Sequence, residues 1–556
     1  MKTVSIGLFS IRCGEKKIDY LPWRTSASGR KRLAEAFEEN ELRIESQLKS
    51  APDGDVFLLK FVLQNAVFRL HDPLVYAPVI VFHAENLGLF LDKISGRKRI
   101  IIEPPFDKNP ALYTLIRRLI SARKDVVLET QQPGELSIRI TYLFPLFAQG
   151  LYALEALVGL FKRIGRKRKP ERSFIFSNFR HYSKHDSDNV FWANLLPLLP
   201  RGREASFVYY NQFFPIQRHY YARFLTDRKH VFLTEALTLS GFAQDLRTYL
   251  SISVPESFSY QYKGVEYGDI LLPLVSAFYR ILYPFLLKQR RALQKMLASH
   301  PKAVFVDSEL SLIGFQLGFI RNTAKIVAMS NEIIDENYAM PKYSPDRPRP
   351  RFDSKLVYGE RELRMLRDDF GYPEEKLVLF PDPRFLDALF GPKPLRKALV
   401  YVSQAHKSEL LPVIAQGLRC NATLSRIPFV VKPHPLEDPR SLKSRLGNSV
   451  EVSEETTLQY VPTYALTHNS TFGLELLFQG STVFFLNPYT FDIVKRIPML
   501  YCKDVDEVLK TLQRLENSPS EAKALRERIK RYLAERYADT SPTRSREILK
   551  SVLEKT

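Results

Sequence analysis

Pro428-Phe-Val-Val-Lys-Pro-His-Pro435, Leu466-Thr-His-Asn-Ser-Thr-Phe-Gly-Leu-Glu475 and Thr482-Val-Phe-Phe-Leu486 decide how this chain reads. Each is a short apolar run that passes into a polar, turn-prone segment, the pattern of a strand leaving its sheet. The second then opens into a helix. Open α/β sheets hold their ligands at the carboxyl ends of parallel strands. The step Asn469-Ser470-Thr471 sets small hydroxyl side chains and free backbone N–H groups at a helix start, which suits a phosphate. These three stretches therefore predict a nucleotide-binding, Rossmann-like half.

Each motif has a plainer reading. Pro-His-Pro also makes a rigid loop, because proline fixes φ and blocks helix. Asn469 to Thr471 is also an ordinary N-cap cluster. A capping-box glutamate sits three residues after a Ser or Thr cap, but the residue three before Glu475 is Phe472. Glu475 instead lies one turn into a helix rich in Phe472, Leu474, Leu476, Leu477 and Phe478. A carboxylate there is costly without a partner, and a ribose or base would supply one.

Lys432-Pro-His-Pro435 followed by Asn469-Ser-Thr-x-Gly-x-Glu475 resembles the histidine–proline and serine/threonine motifs of bacterial surface-polysaccharide glycosyltransferases. The similar families are the capsule Kdo transferases and the sialyltransferases of GT-B fold, and the likeness covers residues 355 to 495. It implies a donor nucleotide sugar linked through CMP, such as Kdo or sialic acid, with His434, Ser470 and Thr471 near the phosphate. Lys432, Pro435, Asn469 and Glu475 would line the same pocket. The implied acceptor is a glycan of a capsule or lipopolysaccharide, or a lipid-linked precursor, and no metal or further cofactor is expected. Polymerases that transfer glycerol phosphate from a CDP carrier are partly similar. Their second motif usually ends in Asp where this chain has Glu475, so glycerol phosphate transfer ranks second.

At 556 residues the chain exceeds a single core and predicts several domains. Cys13, Cys420 and Cys502 lie far apart and make no metal-ligand spacing, which fits a reducing cytoplasm. The N-terminal apolar run is too short for a signal peptide and reads as a first strand. A net charge of +21 favours a polyanionic partner. From Leu143 to Phe161 only Gln149 and Glu155 are strongly polar, and Lys162, Arg163, Arg166, Lys167, Arg168, Lys169 and Arg172 follow. Pro145, Gly150 and Glu155 argue against a membrane span. The stretch 143–172 is then either a core helix with a solvated basic linker or a peripheral contact with an anionic membrane at its cytoplasmic face. The apolar segment Leu272 to Leu287, with Lys288, Arg290 and Arg291 behind it, is either a face that approaches a lipid-linked acceptor or a core helix kinked at Pro284. A groove-binding nucleic-acid protein would spread its basic residues rather than cluster them behind an apolar helix, so nucleic acid is not expected. A non-catalytic membrane scaffold is the other rival.

Strands and helices alternate throughout, which argues for the α/β class. The expected fold is two facing Rossmann-like domains of GT-B type preceded by an additional N-terminal α/β domain. The expected boundaries are 1–165 for the N-terminal accessory domain, 173–390 for the acceptor-side domain and 391–556 for the donor-binding domain with its C-terminal helix. In the first, Val4 to Phe9, Asp55 to Phe61, Val79 to Phe82, Arg99 to Ile102 and Asp125 to Leu128 read as strands, and Lys31 to Gln47 and Ala111 to Ser121 as helices. By analogy with GT-B enzymes, the C-terminal helix would return to the acceptor-side domain.

Sugar transfer to a hydroxyl needs a base, or a carboxylate nucleophile if configuration is retained. Loops that follow strands of the acceptor-side domain supply candidates: Asp188 first, then Asp186 and Glu332, with Asp307 and Glu309 in a further such loop. Asp186-Ser-Asp188 also fits the Asp-x-Asp metal pattern of another glycosyltransferase class, a pattern that chance supplies several times in this chain. His406, Tyr489 and Asp492 are further donor-side candidates, and Arg384, in Pro381-Asp-Pro-Arg-Phe385, resembles the hinge strand-to-helix loop of these enzymes, open to contact with either domain. Lys432 either neutralises a phosphate or pairs on the surface with Glu437 or Asp438.

Overall fold

The computed structural model describes residues 1–43, 77–132, 139–164, 173–178, 192–199, 205–210, 218–251, 256–329, 352–383, 393–403, 410–433, 437–446, 450–453, 458–486 and 493–554, apart from single residues and short gaps within these spans. Contacts group the chain into two units. One holds residues 1–170, 210–299 and 319–322, the other residues 171–209, 300–318 and 323–556.

The first sheet is built on β1 (Lys2–Gly7), which is antiparallel to the hairpin of β2 (Ser10–Cys13) and β3 (Lys16–Asp19). On its other side β4 (Lys98–Ile102) and β5 (Val126–Leu128) are parallel, giving the order β3-β2-β1-β4-β5. Helices α1 (Tyr20–Thr25), α2 (Ala77–Asp92) and α3 (Pro110–Ile120) accompany it. The Asn109 side chain caps α3 by accepting from the Ala111 and Leu112 N–H groups, with proline at the first helical position. Val79 to Phe82, expected as a strand, lies inside α2. All four side chains are fully buried, and a helix buried all round carries the same apolar run as a buried strand. The expected strand Asp55 to Phe61 and the end of the helix from Lys31 lie outside the described residues.

Next comes α4 (Arg139–Ile164), the apolar stretch ahead of the basic run. No helix among the described residues is long and apolar enough to cross a membrane. Glu155 is buried in the protein and accepts from Lys288 Nζ at 2.6 Å. Lys288 belongs to α7 (Gly268–Leu297), which follows α5 (Arg218–Thr226) and α6 (Leu239–Ser251). Tyr152 donates to Asp245 of α6 at 2.7 Å, and Arg291 of α7 clamps the same carboxylate at 2.6 and 2.9 Å. The inner face of α4 is thus a core face held by polar links.

The second sheet contains β6 (Ser173–Asn178) and β7 (Ala205–Tyr210). After β8 (Val231–Phe232) and the hairpin β9 (Gln261–Tyr262)–β10 (Val265–Glu266) come β11 (Ala303–Val306), β12 (Lys325–Ala328), β13 (Ser354–Val357) and β14 (Leu377–Leu379). Within the second unit the order is β14-β13-β12-β11-β6-β7, with β6 and β11 to β14 in parallel register. Helix α8 (Leu312–Phe319) connects β11 to β12, and α9 (Glu360–Arg364) precedes β14.

The third sheet is parallel throughout: β15 (Leu395–Val402), β16 (Phe429–Lys432), β17 (Glu451–Val452), β18 (Val461–Thr467), β19 (Thr482–Leu486) and β20 (Tyr501–Cys502), in the order β17-β16-β15-β18-β19-β20. Helices α10 (Leu411–Cys420), α11 (Pro439–Leu446), α12 (Thr471–Phe478), α13 (Ile493–Arg496) and α14 (Val505–Asn517) belong to it. The central strands are fully buried, with Val400, Tyr401, Val430, Ala465 and Phe484 all at 0% exposure. The chain therefore adopts the expected class: two Rossmann-like sheets of the GT-B plan after an N-terminal α/β sheet.

The C-terminus runs through α15 (Pro519–Arg536) and α16 (Pro542–Glu554). Tyr537 packs edge-on against Phe478 of α12, with ring centroids 4.8 Å apart. The Ala538 N–H then donates to Tyr358 O, at the end of β13, at 2.9 Å. Helix α16 packs on the 3-10 turn Ala193–Leu198. The last helix thus returns to the elements of the second sheet.

Candidate functional site

In the third sheet, strand order reverses between β15 and β18, because the chain builds β15, β16 and β17 outward and then starts again on the other side of β15. At such a switch point the loops leaving neighbouring strands diverge and open a crevice at their carboxyl ends. Ser403 follows β15, Lys432 ends β16, and His468 with Ser470 follows β18.

Ser403 is 2% exposed, and its N–H continues the ladder by donating to Lys432 O at 2.9 Å. Its side-chain oxygen is buried and has no hydrogen-bond partner among the described residues. Lys432 is 7% exposed, and its Nζ sits 4.4 Å from the centroid of the Phe472 ring. Burial pushes its pKa down, while the charge of Glu475 works the other way. Lys432 is therefore a buried cation at the strand end, turned toward α12, and not a surface partner of Glu437.

Ser470 is the N-cap of α12, and its side-chain oxygen accepts from the Phe472 N–H at 3.3 Å. That uses the oxygen as acceptor and leaves the O–H as a donor. The ordinary cap reading of this step is correct in geometry and compatible with anion binding. His468 is buried and donates from Nδ1 to Leu486 O at 2.8 Å, tying the end of β18 to that of β19. Thr467 Oγ1 donates to Val402 O at 3.3 Å, tying β18 to β15. A Cβ on Gly473 would lie 2.8 Å from Thr467 Cγ2 and 3.4 Å from Val483 Cγ1. Glycine there lets α12 lie close on β18 and β19, which aims its N-terminus at the switch point. A buried cation, an orphan hydroxyl and a helix N-terminus thus gather at three adjacent strand ends, a positive lining suited to phosphate.

Of the expected donor residues, Lys432, Ser470 and Glu475 are described at these ends, and Glu475 lies on the first turns of α12. Thr471 opens α12, but its side chain is outside the described set. His434, Pro435, Asn469, His406, Arg384, Tyr489 and Asp492 lie outside the described residues, as do Asp186, Asp188 and Glu332. Of the residues expected on the acceptor side, Glu309 is closed off: it bonds Lys355 at 2.7 Å and accepts from Tyr372 Oη at 2.7 Å, all three buried. Among the described residues no cluster of three or more His, Cys, Asp or Glu gathers as a metal site.

Ser403 and His468 were not singled out by the sequence reading. Ser403 follows the apolar run Ala398 to Val402, the same strand-then-polar signal that marked the other two loops. His468 lies inside the quoted Leu466 to Glu475 stretch, where the hydroxyls beside it drew the attention.

No family model matches the chain. Over 203 residues it is 32% identical to an uncharacterized protein, MJ1060, of Methanocaldococcus jannaschii. That match takes in 33% of this chain, which spans 36% of the relative's length. Among solved structures it is similar to the UDP-GlcNAc 2-epimerase of Neisseria meningitidis bound to UDP-GlcNAc, at 11% identity and TM-score 0.41, over 69% of this chain and 99% of that one. It is also similar to the wall teichoic acid polymerase TagF, at 10% identity and TM-score 0.37, over 75% and 98%.

Proposed function

We propose that the third sheet binds a nucleotide-activated donor by its phosphate and that the chain transfers the activated group to a hydroxyl acceptor. The observation that carries this is the buried Lys432 at the end of β16, joined through its carbonyl to the N–H of Ser403, whose buried hydroxyl has no partner among the described residues, at the switch point. A buried polar group without a partner costs about 1–3 kcal/mol, and phosphate oxygens would satisfy both groups at once. Ser470 and the α12 N-terminus add donors on the opposite lip of the crevice, where they would stabilise charge developing on the leaving nucleotide. The motif likeness favours a CMP-linked acidic sugar, with His434 and Thr471 at the same phosphate. Asp188, Asp186 and Glu332 are the proposed acceptor-side carboxylates.

Thermal stabilisation by CMP, CDP, UMP, GMP and AMP tests the site, since a native-state binder raises stability. Ser403→Ala should leave the free protein at least as stable as before and weaken nucleotide binding about tenfold or more, as expected for a bond to a charged group. Lys432→Met should weaken it further. Wild-type affinity in both variants would refute the site. Turnover of CDP-glycerol, with CMP-sugars inert, would keep the site and replace the donor by the second class.

A further inference from the structure

Helix α4 carries its amphipathic faces the wrong way round for water. The face turned into the protein holds Tyr152, Glu155 and Lys162. Glu155 pairs with Lys288, and Lys162 Nζ donates to Asp227 O at 2.7 Å while lying 4.9 Å from the Phe224 and Phe232 rings. On the same side, Gly159 lies against the backbone of Glu235, where a Cβ would meet its carbonyl oxygen at 3.0 Å. The outward face carries Leu154, Leu157, Leu160 and Phe161, exposed by 51, 40, 42 and 71%. Positions 154, 157 and 161 recur at the spacing of one helical stripe. Beyond it the chain continues into Arg163, Arg166, Lys167, Arg168, Lys169 and Arg172 against the single acid Glu171.

We propose that the outward face of α4 docks on an anionic bilayer, with the apolar stripe entering the interface and the basic sequence that follows it selecting anionic lipid. The charge selects this occupant. A second copy of the chain would bring two such basic runs together, whereas anionic lipid neutralises them, each Lys or Arg near such a surface favouring binding about fivefold. Glu155, the acid that counts against membrane contact in the sequence, faces inward and is paired, so the helix can lie in the interface without burying it in lipid.

Sedimentation of the full chain with vesicles of phosphatidylcholine alone, or mixed with phosphatidylglycerol, tests it. Binding should need the anionic lipid. Leu157→Ser/Phe161→Ser should cut partitioning more than about tenfold through lost apolar insertion, and Arg166→Ser/Lys167→Ser about thirtyfold. Leu250→Ser, at an exposed leucine of α6, should change nothing, and circular dichroism should show all variants folded. Failure to bind anionic vesicles, or wild-type binding by both double variants, would overturn the proposal. So would gel filtration showing a dimer that the stripe variant dissociates.

Discussion

The buried pair Glu155–Lys288 allows a sharp test of how α4 is held. The side chains are 1% and 7% exposed and meet at 2.6 Å. Glu155 Oε1 has no partner among the described residues, and the cavity beside it, lined by Tyr220, Thr234 and Lys288 among others, has about 10 Å³ of free space, room for roughly one water. In Glu155→Leu the Lys288 ammonium would be left desolvated among Tyr152 and Phe285. Stranding one member of a buried pair costs about 3–5 kcal/mol. Glu155→Leu/Lys288→Met removes both desolvated charges, and such apolar replacements range from neutral to about 1–4 kcal/mol more stable. The double variant should therefore recover most or all of what the single variant loses, a coupling above about 3 kcal/mol. Hydrogen exchange of peptides from α4 and α7, set beside urea unfolding, measures it, and a loss of about 3 kcal/mol corresponds to exchange over a hundredfold faster. If the single variant loses less than about 1 kcal/mol, as an exposed pair would, or if the double variant is as damaged as the single, the reasoning fails.

Gly473→Ala gains up to about 1 kcal/mol of helix propensity. However, its methyl would press on Thr467 and Val483 in rigid strands, and overpacking of about 1–3 kcal/mol should win. The expected outcome is a lower melting temperature and weaker nucleotide stabilisation, and a more stable variant would show that α12 is free to lift. His83, fully buried, has its pKa lowered by burial to about 4, against the raising effect of the Leu8 and Gly7 backbone groups. The unfolded chain takes up that proton near its usual 6.5 and the native one only near 4, so stability is present above the first value and lost as pH falls toward the second. The loss is about 3 kcal/mol. Urea midpoints across that range should fall less steeply for His83→Gln, and parallel slopes for the two proteins would remove His83 as the cause.

The third sheet was legible because parallel strands buried on both faces announce themselves as apolar runs ending in polar turns. Thr482 to Leu486 and Ala398 to Val402 needed no tertiary information. The order of those strands was not in the runs themselves. What brings Ser403 beside Lys432, and both beside the start of α12, is the reversal at β15, which depends on how the crossovers pack. Local pattern failed at Val79 to Phe82, because a run apolar on every side fits any element buried on every side, and tertiary packing chose helix.

Polar groups in apolar settings show the same division more sharply. The sequence marks Glu475 as a carboxylate that needs a partner and Glu155 as an acid that counts against a membrane span, and both readings follow from local composition alone. The partner is a tertiary fact. For Glu155 it is Lys288, 133 residues away, and its discovery turns an obstacle to membrane contact into the anchor of an outward apolar face. For Lys432 the folded protein offers the Phe472 ring and the opposing charge of Glu475 but no ion pair among the described residues. One buried charge is answered within the fold, and the other is left at a strand end where ligands bind. That contrast, more than either motif alone, is why we propose the third sheet as the site of a nucleotide phosphate.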